Sequence, residues 1–247
     1  LPISLSVAEG RVIYCAHVPK AGGSSVEDHL RERFGPPGMW DRKWERAFRE
    51  GGWRGHSLRT SPQHMTAADA LRLVPEADWR FAVVRDPVRR VISEWRHQCR
   101  IRRGRRRLAE RGFRLWLPAA LAAARRDPTI FDNHMRPQTD IVPEDAEVFR
   151  LEDGLDRVAE RIAEVTGAPG PIPPMGHRLK SEETEPAVPS REDLALIAEA
   201  YAADYERFGY PRPDLSAAPR DPAAPLRRAL GEALAPGMVL AWRRGRF

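Results

Sequence analysis

Arg11-Val-Ile-Tyr-Cys-Ala-His-Val-Pro-Lys20-Ala-Gly-Gly-Ser-Ser25-Val-Glu-Asp-His-Leu30 is the stretch on which the reading of the fold turns. Its first part, Val12 to Ala16, is an apolar, β-branched run that predicts a buried parallel strand. Pro19-Lys20-Ala21-Gly22-Gly23 then breaks the run with small residues. Ser24 or Ser25 is expected to cap a helix whose apolar stripe, Val26, Leu30 and Phe34, recurs at every fourth position. A strand, a glycine loop and a helix N-terminus together make an anion site. Glycines let backbone N–H groups converge, the helix dipole adds partial positive charge, and Lys20 supplies a full one. A Gly-Gly pair alone fits an ordinary βα turn. The lysine before it and the two hydroxyls after it point instead to a phosphate or sulfate cradle. This is not the Walker A order, in which lysine follows the last glycine.

The chain has 247 residues with 42% hydrophobic content, enough for one α/β domain with a central parallel sheet flanked by helices. No run approaches the roughly 18 apolar residues of a membrane helix. The N-terminus carries neither an initiator Met nor a signal-peptide pattern, and a removed anchor stays open. Two cysteines, Cys15 and Cys99, give no disulfide framework and favour a reducing compartment. The net charge of +6 asks for an anionic partner. Nucleic acid is one such partner; a phosphorylated nucleotide with an acidic glycan is another, and charge does not separate them.

Along the chain, Gly35-Pro-Pro-Gly38 reads as a turn, and the aromatics of 39–50 as the packing face of a helix ended by Gly51-Gly52. His56 follows Gly55 in a short extended segment. Thr66, with Asp69 three residues on, opens a short helix. Trp79 to Arg85 is the second clear strand, stopped by Asp86-Pro87, with Pro87 in the first turn of a helix over about 88–103. Arg85 and Ser93 flank this strand-to-helix junction and so can reach one ligand beyond the carboxyl end of the sheet. Arg100 to Arg107 holds six arginines in eight residues, a pattern more typical of a solvated connection than of a site, although its position after that helix leaves a polyanion-binding role open. Residues 108–125 read as a helix that Pro118 should kink or divide. Residues 153–167 form an amphipathic helix capped by Gly167, 168–189 a long loop or lid, and Ser190 to Phe208 a long helix. A domain over 1–212 is expected, with 213–247 an extension made of a linker, a weak helix near 224–234 and a basic tail.

Two motifs carry a family resemblance. Pro19-Lys20-Ala-Gly22-Gly23-Ser24-Ser25 resembles the 5′-phosphosulfate loop of sulfotransferases that use 3′-phosphoadenosine 5′-phosphosulfate (PAPS). Arg85-Asp-Pro-Val-Arg-Arg-Val-Ile-Ser93-Glu-Trp95 resembles their 3′-phosphate signature. Weaker echoes are Asp132-Asn-His134-Met-Arg136-Pro-Gln138, Val148 to Glu152 and Asp204 to Tyr210, so the likeness covers about residues 11–210. The chain is thus similar to the carbohydrate-type branch, which includes heparan sulfate 2-O-sulfotransferase and its bacterial relatives. Ala21 stands where that loop often has Thr, which removes a hydroxyl donor. The absence of the cysteines common in Golgi members points toward a bacterial, cytoplasmic enzyme.

The resemblance implies PAPS as donor, adenosine 3′,5′-bisphosphate as product, no metal, and a hydroxyl acceptor on a carbohydrate or glycan. It implies that Lys20, Ala21, Gly22, Gly23, Ser24 and Ser25 hold the 5′ end of the donor. Arg85 and Ser93 would hold the 3′ phosphate, and Lys180, in the segment His177 to Ser181, would close over the nucleotide. Lys20 would stabilise the leaving oxygen, and His56, in a Gly-His segment like the family's, would be the general base. His134 and Arg136 would contact the acceptor. His17 and His29 have ordinary structural positions, at a strand end and on a helix. Two other classes compete: a P-loop-type kinase or NTPase, disfavoured by the position of the lysine, and a basic nucleic-acid-binding protein, which leaves both motifs unused.

Overall fold

The computed structural model describes residues 5–6, 11–35, 60–100, 112–167 and 187–244. The helix expected at 39–50, His56, the arginines at 102–107, and His177 and Lys180 all lie outside the described residues. The chain falls into two compact units, each assembled from two stretches: Leu1–Arg85 with Gln138–Lys180, and Asp86–Pro137 with Ser181–Phe247.

The first unit holds the sheet. Strands β1 (Leu5–Ser6), β2 (Val12–Ala16), β3 (Trp79–Val84) and β4 (Glu147–Arg150) lie in the order β1-β2-β3-β4. β2, β3 and β4 run parallel, with Cys15 opposite Phe81 and Val83 opposite Phe149, and β1 adds an antiparallel edge. The α/β class with a parallel central sheet is therefore as expected. Residues two apart on a strand share a face. Ile13 and Cys15, with Phe81 and Val83, accordingly turn one face into a core with Val26 and Leu30 of α1 (Gly23–Phe34). Leu155 and the inward side of α5 (Asp156–Thr166), Val158, Ala159 and Ile162, complete it. Each such buried aliphatic contributes about 1.5–3 kcal/mol. A short helix, α2 (Ala67–Leu73), starts on Thr66, whose hydroxyl accepts the Asp69 amide, as the sequence predicts. Gly167 at φ 60° ends α5, also as predicted.

The second unit is helical: α3 (Pro87–Arg100), α4 (Phe113–Arg126), α6 (Arg191–Ala200), α7 (Ala202–Phe208) and α8 (Ala224–Arg243). Three expectations change here. Pro118 lies inside α4 without dividing it, in a helix whose Ala119, Ala120, Ala122 and Ala123 are fully buried. The expected helix from Ser190 to Phe208 opens on the predicted Ser190–Asp193 capping box but breaks at Tyr201. There the buried phenol donates to the Met135 carbonyl at 3.0 Å, a tertiary bond that local pattern does not report. The weak helix near 224–234 is a 20-residue helix, and it packs along α4.

The α4–α8 seam depends on one glycine. A Cβ on Gly231 would sit 2.8 Å from the Ala119 nitrogen and the Pro118 carbonyl carbon, both backbone atoms that cannot step aside. Gly231→Ala gains about 1 kcal/mol of helix propensity but forces two helices apart, at about 1–3 kcal/mol for overpacking. A lowered thermal midpoint is expected; an unchanged or raised one would show that the seam gives way freely.

Candidate active site

The anion loop follows directly from β2. Val18 and Ala21 are buried, and the Ala21 amide closes a turn onto the Val18 carbonyl at 3.3 Å. Lys20 at its apex has φ 68° and Gly22 has φ 88°. Left-handed backbone is ordinary for glycine but costs about 1–2 kcal/mol for a residue with a side chain. Such strain at the one lysine of the loop is the kind that concentrates at functional sites. Gly22, not a serine, is the residue before α1, and no side chain caps the helix. Ser24 and Ser25 instead occupy its first turn. The correction has a physical reason: a left-handed residue must turn the chain into the helix, which a capping serine in extended backbone does not do. The Ser25 and Val26 amides return to the Gly22 carbonyl at 3.0 and 3.3 Å. The amides of Gly23 and Ser24 precede the first such bond, and together with Lys20 and the two hydroxyls they form the donor set of an oxyanion site.

The two glycines are small for different reasons. Gly22 needs its positive φ, and a Cβ there would also lie 2.9 Å from Leu151 Cδ1. Gly23 has ordinary helical backbone, but a Cβ on it would overlap three ring atoms of His17. His17 is buried, and its Nδ1–H donates to Glu27 Oε1 one turn into α1, in a close contact. Gln63 donates to the same oxygen at 2.8 Å, and His64 packs its ring edge-on against His17 at 5.0 Å between centroids. Burial holds the His17 imidazole well below its ordinary value, so it is neutral at neutral pH. Burial pushes the Glu27 carboxyl up, yet its contact with His17 and the Gln63 amide outweigh this and hold it below the ordinary value.

Arg85, at the end of β3, reaches this loop: its Nη1 donates to the Lys20 carbonyl at 3.1 Å. Gln138 fixes the arginine from the other side. Fully buried, it accepts the Arg85 amide at 2.9 Å and donates to the Arg85 carbonyl at 2.8 Å. A side-chain amide thus stands in for the next strand residue where the sheet ends. Two of the predicted site residues, Lys20 and Arg85, are therefore in direct contact.

In the second unit, Asp86 accepts the Arg89 amide at 2.9 Å and starts α3. Ser93, half-buried, and Glu94, fully buried, lie on that helix. His134 donates Nδ1–H to Glu94 Oε2 at 2.6 Å, and Gln98 donates to the other carboxylate oxygen at 2.6 Å. His97 stacks on His134 at 5.4 Å. Burial works to raise the Glu94 carboxyl, but His134 and Gln98 pull it down to about 2. His134 follows three successive left-handed residues, Phe131, Asp132 and Asn133, at φ 52°, 61° and 66°. The buried Arg90 grips this strained turn by donating to the carbonyls of His134 at 3.0 Å and Arg136 at 2.8 Å. The Arg136 side chain bonds back to Asn133 Oδ1 at 2.7 Å.

His56 and Lys180, expected as base and nucleotide contact, lie outside the described residues. Sequence reasoning missed Glu27, Gln63, Glu94 and the role of Gln138. Glu94 and Gln138 stand inside the quoted motifs and Glu27 inside the opening stretch, but no pattern there marks their roles. His17, at a strand end in the sequence, lies directly behind the loop. Among the described residues, no group of His, Cys, Asp and Glu could hold a metal ion, and no helix is long and apolar enough to cross a membrane.

Neither the curated proteins nor the solved structures give a match to this chain. The model of the Sulfotransferase family matches residues 4–211, a span that takes in the lysine–glycine loop, Arg85 and the His134 turn. With that match over most of its length, the chain belongs to the sulfotransferase family.

Proposed function

We propose that this sulfotransferase takes its sulfuryl group from PAPS and passes it in line to a hydroxyl of a carbohydrate or glycan, releasing adenosine 3′,5′-bisphosphate. The observation that carries the reading is the bond from Arg85 to the Lys20 carbonyl. It joins the two motifs that the donor's 5′ and 3′ ends require. The donor set fits the group: a half-buried ammonium, helix-end amides and two serine hydroxyls for a phosphosulfate, and a guanidinium for the second phosphate. Sulfuryl transfer resembles phosphoryl transfer, in which the protein contributes position and electrostatics. Lys20 and the loop amides hold the bridging oxygen as negative charge builds on it. Ser93 joins Arg85 in the reading on the strength of the motif. The carbohydrate acceptor, like a bacterial cytoplasmic setting, rests on the resemblance, and an acidic glycan suits the net charge of +6.

The test of the donor assignment is Arg85→Ala. Affinity for adenosine 3′,5′-bisphosphate should fall by about 1.5–3 kcal/mol, the worth of hydrogen bonds to a charged group, with little change for adenosine 5′-phosphate. Calorimetry showing equal losses for both ligands would remove the 3′-phosphate role. Protection by ATP in place of PAPS in a thermal shift would favour a kinase. Tight, steeply salt-dependent binding of nucleic acid would favour the third class.

The acceptor hydroxyl needs a base. The family resemblance assigns it to His56. A second reading is favoured by one observation: a buried carboxylate, Glu94, holds Nδ1–H of His134 at 2.6 Å. In that tautomer Nε2 carries the lone pair that a general base needs.

A further inference from the structure

We propose that His17, Glu27 and Gln63 form the positioning device of the sulfuryl-donor loop; the proposal rests on the donor reading above. The three come from the three segments that frame the loop. His17 ends β2, Glu27 stands one turn into α1, and Gln63 lies in the short helical turn Pro62–His64. A single carboxylate oxygen, Glu27 Oε1, receives both the imidazole and the amide. The loop from Val18 to Gly22 is therefore anchored at both ends by one hydrogen-bonded pair, and the Gln63 turn braces that pair from outside.

The ring of His17 also sets where α1 begins. It occupies the space that a side chain at Gly23 would take, so the first residue of the helix rests on the imidazole. Displacing the ring displaces the amides that follow Gly22, and a misplacement of about 1 Å in a catalytic donor can cost about 100-fold in rate. The carboxylate is there for its lone pairs and not for its charge. A buried anion beside a site for a polyanionic donor is an electrostatic liability, which the two N–H donors offset. This separates positioning from charge: an uncharged acceptor of the same shape should serve, and a methyl group should not.

The variants are Glu27→Ala, Glu27→Gln, His17→Ala and Gly23→Ala, compared with the unchanged protein well below the lowest thermal midpoint. Two readouts are taken: affinity for adenosine 3′,5′-bisphosphate by calorimetry, and hydrogen exchange of the amides of residues 20–26 without ligand. Glu27→Ala, His17→Ala and Gly23→Ala should each lose about ten- to a hundredfold in affinity, with exchange raised in the loop and not across β3 and β4. Glu27→Gln should keep most of the affinity. Should Glu27→Ala fail to fold, Gly23→Ala and Glu27→Gln still decide the matter. Exchange that rises evenly through the unit, or affinity unchanged in folded variants, would overturn the proposal by making the network a plain stability element. Equal losses in Glu27→Gln and Glu27→Ala would overturn it too, since charge would then be the requirement. Absence of bisphosphate binding by the unchanged protein would overturn the donor reading itself, and that failure is visible before any variant is made.

Discussion

Lys20→Met should lower kcat for sulfuryl transfer by about 10²–10³, the usual cost of removing one preorganised donor to a developing oxyanion. Methionine keeps most of the length and the apolar stem and removes the charge. Lys20 is a residue held at φ 68° in a half-buried loop, with its carbonyl bonded to Arg85 at 3.1 Å. The left-handed backbone and the bond to Arg85 together fix the stem from which the ammonium extends. Lys20→Gly is the control. It relieves about 1 kcal/mol or more of left-handed strain, so its stability should rise while its activity falls with that of Lys20→Met. Labelled sulfate transfer under single turnover measures the step. If kcat is retained and only the donor KM rises, Lys20 binds donor and transition state alike, and its role is affinity and not catalysis.

The loop was legible because its signals are local. An apolar run, a break in small residues and a stripe at every fourth position specify strand, turn and helix within one stretch of chain. What holds the loop was not legible. His17 and Glu27 are ten residues apart with different periodicities on either side, and Gln63 meets them from across 36 residues or more. Gln138 binds Arg85 across 53 positions, and Tyr201 binds Met135 across 66. These are tertiary hydrogen bonds that no pattern encodes. The misplaced caps have the same origin: Ser24 and Ser25 are good capping residues by propensity, but the entry angle into α1 needs a left-handed backbone, and Gly22 supplies it at φ 88°. Pro118 leaves α4 undivided for a related reason. Its cost in an isolated helix is about 3 kcal/mol, and the buried alanine face packed on α8 offsets it.

The other large effect concerns the base. His56→Ala should leave PAPS binding and thermal midpoint near normal while kcat falls by about 10²–10⁴, the contribution of general base catalysis. His134→Ala should act mainly on acceptor KM. The Glu94 contact gives this comparison a second arm. If His134 is the base, Glu94→Ala removes the acceptor that holds its Nδ1–H at 2.6 Å, and kcat should fall with KM little changed. The double variant of Glu94 and His134 should then be scarcely worse than His134→Ala alone, because the two residues act as one unit. If His134 only contacts the acceptor, the same variants should move KM together and leave kcat at saturation. Glu94 is fully buried, so Glu94→Gln accompanies Glu94→Ala to keep the Gln98 side filled and separate a folding defect from a catalytic one. Near-normal kcat in His56→Ala on a saturating acceptor, with His134→Ala inactive, would transfer the base to His134 and leave His56 a packing or binding residue.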